Sequence, residues 1–168
     1  MGLIMITPQF LFDSAKLRKL IASIIGINEN LVIPANSQID VTNIPFYVTV
    51  QQVTSTPQGS RVYQSNVNET QYSKVTSNVL YSINIIGKNS LLWAMRLQPS
   101  LRLNSSLAEL KKMNVGILQI SAVRDVSGAY DAAYEERAQF DLLLSQDTIV
   151  KEQRNNILSA EINTRFER

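Results

Sequence analysis

The chain has 168 residues, 16 Lys and Arg against 14 Asp and Glu for a formal net charge of +2, and neither cysteine nor histidine; 45% of its residues are hydrophobic and 18% charged. That length predicts one domain with a sizeable core, and so small a net charge argues against nucleic acid as a general partner. The missing cysteine and histidine exclude disulfides, thiolate nucleophiles, sulfur metal sites, His-based triads and the usual zinc and non-haem iron ligand sets.

A surface this short of charge suits a chain that hides part of it in an assembly. The first twelve residues, MGLIMITPQFLF, are apolar, carry no positive segment ahead of them and are stopped by Pro8. They are a poor signal peptide and too short to span a membrane, and are expected to form an extended arm. Such an arm packs on its own domain or reaches onto a neighbouring subunit.

Asp13 suits a helix N-cap, Leu17, Leu20, Ile21 and Ile24 follow at helical spacing, and Gly26 suits the C′ position, so a helix is predicted over residues 14–25. Lys16, Arg18 and Lys19 fall off its apolar stripe and read as a solvated face rather than an anion site. Residues 28–45 are rich in Asn, Asp and Pro and predict a loop with one short edge strand. Residues 46–54, FYVTVQQVT, predict the first long strand. Residues 56–69, with Pro57-Gln58-Gly59, predict a turn and an exposed loop.

Residues 71–86 alternate, with Val75, Val79, Tyr81, Ile83 and Ile85 on one face, and run through Gly87-Lys88-Asn89-Ser90 into a helix capped by Asn89 or Ser90. Pro99 is expected to kink or end that helix, with a further helical turn over residues 107–113. This is also the most basic segment, holding Lys88, Arg96, Arg102, Lys111 and Lys112 against Glu109. Positive charge on an exposed helical face accounts for it more simply than a phosphate patch does. Residues 115–123, VGILQISAV, are nearly continuous in apolar residues and predict a central strand covered on both faces.

The cleanest period of two lies in residues 134–147, YEERAQFDLLLSQD. Tyr134, Ala138, Phe140, Leu142 and Leu144 form one face, and Glu135, Arg137, Gln139, Asp141 and Ser145 the other, as in a half-buried antiparallel strand. Glu136 falls on the apolar face, where a carboxylate needs a partner such as Arg96 or Arg124, and Leu143 falls on the outer face. A charged hairpin over residues 150–155 and a last strand over residues 156–166 are expected to follow. The whole predicts a single α+β domain over residues 1–168, its mainly antiparallel sheet covered on one face by helices.

No Gly-rich phosphate loop, metal-ligand cluster or nucleophile elbow is present, and neighbouring Glu135 and Glu136 point to opposite faces and cannot act together. No catalytic, cofactor-binding or metal residue is assigned, and the inventory points away from an enzyme.

The run AYEERAQFDLLLSQDTIVKEQRNNILSAEIN resembles the C-terminal signature of the neck or tail terminator (tail-completion) proteins of long-tailed bacteriophages, in which a Y-E-E-R start leads into an alternating strand. INIIGKNSLLWAMRLQPSLR resembles that family's strand ending in a G-x-N-S turn before a helix that lies on the sheet. The order of elements also fits, so the resemblance covers nearly the whole chain, while residues 30–34 depart from the family's wording. It implies a virion structural protein of the neck and tail, assembled in the host cytoplasm. Such a subunit forms a ring with copies of itself, six-fold by the resemblance, and meets the tail tube protein and the head-side connector, with the sheath as a further candidate. DNA passes through without sequence-specific binding, and no membrane or cofactor is involved.

Ring contacts are expected from the arm, through Ile4, Ile6 and Phe10, and from the 56–69 stretch, through Gln58, Arg61 and Tyr63, while Tyr134, Glu136 and Arg137 form a structural motif. The alternative from another class is a small anion-binding or enzymatic α+β domain using the basic 88–112 face.

Overall fold

A computed structural model describes residues 6–10, 12–64, 70–130 and 133–153. Its elements are β1 (Ile6–Phe10), α1 (Ser14–Ile25), β2 (Val32–Pro34), β3 (Phe46–Gln64), β4 (Thr70–Gly87), α2 (Ser90–Ser100), α3 (Asn104–Lys112), β5 (Val115–Ile120), β6 (Arg124–Asp125), β7 (Gly128–Tyr130), β8 (Ala133–Glu135) and β9 (Arg137–Gln153). A seven-stranded sheet has the order β1-β9-β4-β3-β2, with β5 and β6 also pairing β9, and β7 and β8 form a separate ribbon. Every pairing in the large sheet is antiparallel except β2 with β3. The domain is therefore α+β.

Ala138, Phe140, Leu142 and Leu144 of β9 are all 0% exposed. Their partners Ile85, Ile83, Tyr81 and Val79 on β4 are buried with them, as are Val48 and Val50 of β3. Leu17 and Ile21 of α1, Ala94 and Leu97 of α2, Leu101, and Leu110 of α3 close the same core. The helices thus cover one face of the sheet. Each large side chain buried there contributes about 2 kcal/mol of transfer free energy, which is why a strict period of two outweighs the stray Leu143 on the far face. That far face is mainly Ser, Thr, Asn and Gln, with a small cluster of Ile33, Tyr47 and Ile86 packed under Val41 and Ile44.

The first helix has the predicted ends. Asp13 Oδ1 accepts from the Ala15 N–H at 2.8 Å, and Gly26 takes φ 80° while its N–H reaches the Ala22 carbonyl. Pro99 lies inside α2, one residue before its end, and α3 begins at Asn104, before the expected Leu107.

Four expectations are corrected. Residues 56–64 are strand rather than loop, because β3 stays in register with β4 as far as Gln64, and two irregularities, between Gln52 and Thr54 and between Pro57 and Gly59, absorb the Pro57-Gln58-Gly59 turn signal. Beyond Val50, β4 is the only strand hydrogen-bonded to β3 among the described residues, so the missing Pro57 N–H costs no second ladder. Residues 115–120 form a strand at the margin of the sheet, bonded among the described residues to β9 alone, with Leu118 50% exposed. Its apolar run reflects Val115 in the core and Ile117 and Ile120 packed against it, across a shift between Ile117 and Gln119, rather than cover on both faces. Residues 150–153 belong to β9, where β1 and β4 flank them, instead of forming a hairpin. Tyr134 is 72% exposed, because it lies in β8 and the chain leaves strand geometry at Glu136, so the alternation of β9 does not carry back to it. The expected last strand over residues 156–166 lies outside the described residues.

The two faces of β9 give a direct test. Leu142→Asp should abolish folding, since a lost core leucine and an unpaired buried carboxylate together exceed a margin of about 5–15 kcal/mol. Asp141 lies on the far face, 2.7 Å from a half-exposed Arg124, so Asp141→Asn should cost no more than about 1 kcal/mol. Urea denaturation followed by circular dichroism measures both.

Candidate functional site

Two separate motifs meet at the start of α2. The chain leaves β4 through Gly87 at φ 116°, where an added Cβ would lie 2.3 Å from the Pro45 carbonyl oxygen and 2.9 Å from Phe46 Cα, so only glycine fits. Asn89 then takes φ 62° as the N-cap and makes no side-chain cap bond of its own. The cap comes from across the sheet: Glu136 Oε2 accepts from the Asn89 N–H at 2.6 Å, and the Glu136 carbonyl accepts from the Gly87 N–H at 2.9 Å. A carboxylate beside the positive end of a helix is favourable.

The expected arginine partners of Glu136 are engaged elsewhere. Arg96 lies over the Trp93 ring at 5.2 Å and Arg124 bonds Asp141 at 2.7 Å. Glu135 pairs with Arg137 at 2.8 Å, and the Arg137 N–H donates to Ser127 Oγ at 2.9 Å. The Tyr134-Glu135-Glu136-Arg137 run is therefore tied through backbone and side chain to the Gly87-to-Ser90 turn, while the Tyr134 ring stays in solvent. Sequence reasoning found both motifs and missed their contact, because the acceptor's partner is a backbone N–H that no residue letter announces. Glu136→Ala should lower stability by about 0.5–2 kcal/mol, the range for a lost cap, and Arg96→Ala by less, as read from denaturant midpoints.

Of the predicted contact residues, Ile6, Phe10, Arg61 and Tyr63 lie on one four-stranded arm of the sheet. There residues 60–64 of β3 pair with 71–75 of β4, these with 148–152 of β9, and these with 6–10 of β1. Ile6 and Phe10 are the end residues of β1, and Ile4 lies outside the described residues. Tyr63 stacks on Tyr72 with centroids 5.1 Å apart and planes 8° from parallel, and Lys151 lies 5.5 Å from the Tyr72 centroid. Gln58, Arg61 and Lys74, with Gly59, Ser60 and Thr76, line an open concavity of about 420 Å³. The arm thus gathers the predicted Arg61 and Tyr63 at one edge and Ile6 and Phe10 at the other.

Asp147 holds the base of the arm. Its carboxylate takes Lys74 Nζ and the Thr76 hydroxyl, both at 2.7 Å. Partial burial pushes its pKa up, but the Lys74 and Thr76 hydrogen bonds and the Lys74 charge outweigh this and leave it below the ordinary aspartate value. A lowered folded-state pKa adds stability that is complete above the unfolded-state pKa and is lost as pH falls through the folded one. Asp147→Asn should accordingly flatten the acid limb of the stability profile below the ordinary aspartate range, without changing its neutral-to-alkaline slope. Chemical denaturation across pH tests this.

The basic segment does not form one site. Lys112 is 2.6 Å from Glu109 and lines a groove of about 490 Å³ with Lys16, Lys19 and Glu29, where Lys19 is paired with Glu29 at 3.4 Å. Lys111 lines a separate concavity with Asp147. Among the described residues no cluster of three or more Asp or Glu is placed to hold a metal, and no helix is long and apolar enough to cross a membrane.

A search of curated proteins gives no match. The model of one family, described as phage neck terminator protein, matches residues 15–168. That span runs from the first turn of α1 through the Gly87 turn, the three long strands of the arm and the Glu136 cap. The chain belongs to the phage neck terminator protein family.

Proposed function

We propose that this chain is the ring-forming terminator of a phage neck. Copies of it close a ring, six-fold by the likeness to its family, at the head-proximal end of the tail tube. The ring stops growth of the tube and joins it to the head-side connector, with the sheath a further neighbour where the tail has one. DNA passes through it without base-specific contacts. Its role is structural rather than catalytic, its place is the virion, and its assembly precedes release from the host cytoplasm.

The family match over residues 15–168 carries this reading. The geometry supports it through the arm, in which no residue with a described side chain is fully buried and Val62 is 58% exposed. A tube of rotational symmetry requires such surface, since head-to-tail contacts that close are what generate a ring.

Particles assembled without this chain should carry tails that are not joined to heads and tubes that exceed their normal length, as seen by electron microscopy. Finding the chain anywhere other than the head-proximal end of the tube, or finding no ring there, would overturn the proposal.

A further inference from the structure

Among the described residues the arm is one sheet with two different free edges at the same level. Reading across it, Phe10 pairs with Thr148, Thr148 with Val75 and Val75 with Ser60; at the other end Ile6 pairs with Glu152, Glu152 with Gln71 and Gln71 with Gln64. Residues 6–10 and 60–64 therefore lie opposite each other at the two edges of the arm, each bonded on one side only among the described residues. The devices that usually blunt an edge lie mostly outside the second of these. Pro57 and both irregularities of β3 come before residue 60, and Arg61 is the only charged residue between 60 and 64.

Strand direction makes the two edges complementary. Each of the three pairings across the arm is antiparallel, so β1 runs opposite to β3. Rotation about an axis roughly parallel to the strands preserves both directions. It brings the β1 edge of one copy beside the β3 edge of the next in antiparallel sense, the more stable of the two ladder types. The edges differ in sequence, so the contact is head-to-tail and leaves no copy capped until the ring closes.

We infer that residues 60–64 of one subunit pair antiparallel with residues 6–10 of its neighbour, so that the ring closes through a sheet continuous from copy to copy. The inference rests on the ring-forming role proposed above and supplies its contact. Backbone hydrogen bonds hold the junction, as in other cases of strand addition, and Pro8 withholds one donor from the edge it faces. The half-exposed Val62 and Tyr63 lose water-exposed surface when the neighbouring strand arrives.

The absence of native cysteine makes the test direct. Gln9→Cys is combined in turn with Ser60→Cys, Arg61→Cys, Val62→Cys and Tyr63→Cys, and each double variant of the full chain is assembled into tails and oxidised. Within one copy these positions lie three strand spacings apart, roughly 14 Å, beyond the reach of a disulfide, so any cross-link joins two copies. One or two of the four combinations should give a non-reducing ladder ending at the closed ring, and the successful pair reads out the register. If electron microscopy shows the ring in place but none of the four cross-links, the edge pairing is overturned and the ring-forming role stands. If the assembled particle contains no ring, the role itself falls.

Discussion

The structure depends on the antiparallel pairing of β4 with β9, which holds a single register from Thr70 opposite Gln153 to Ile86 opposite Arg137. A slip of one residue would turn Phe140, Leu142 and Leu144 out of the core and put Gln139, Asp141 and Leu143 in their place. The helices cover only the half of this pair nearest the start of α2. Past Ser77 the same ladder continues with little apolar cover among the described residues, and hydrogen bonds, the Lys74–Asp147 pair and the Tyr63–Tyr72 stack sustain it. One pair of strands thus serves as the floor of a core at one end and the centre of a bare sheet at the other.

What could be read from the residues followed burial. The 3.6 period of α1 and the period of two through Ala138, Phe140, Leu142 and Leu144 are imposed by one apolar side facing one core, and the Asp13 and Gly26 ends of α1 by its unsatisfied backbone groups. Where that constraint lapses, so does the signal. Residues 56–64 are Ser, Thr, Gln, Pro, Gly and Arg61 with one Val and one Tyr, and their strand geometry comes from β4 beside them, which lies outside their own window. Residues 115–120 failed in the opposite sense, since apolar letters do not say how many neighbours a strand has.

The two edges of the arm were partly legible for the same reason. Residues 1–10 and 56–69 stand out in the sequence because an apolar arm gains burial on a neighbour while a polar loop can order there. That residues 6–10 and 60–64 form two edges of one four-stranded sheet depends on the pairing of β1 with β9, and nothing in MGLIMITPQFLF specifies that partner. The alternation places Glu136 on the apolar face, a place it does not take because the chain leaves strand geometry there, and its acceptor role toward Asn89 requires the left-handed turn that follows Gly87.

The order in which the chain is made bears on the central pair. β3 and β4 are adjacent in sequence and can form a hairpin early, yet the neighbours of Val79, Tyr81, Ile83 and Ile85 are supplied by residues 138–144, after two helices and several short strands. Until those residues leave the ribosome, the hairpin presents an apolar face and an open β4 edge. Pairings this distant in sequence are slow to form. A stalled or truncated chain ending before Arg137 would therefore carry the most aggregation-prone surface of the protein without the strand that covers it.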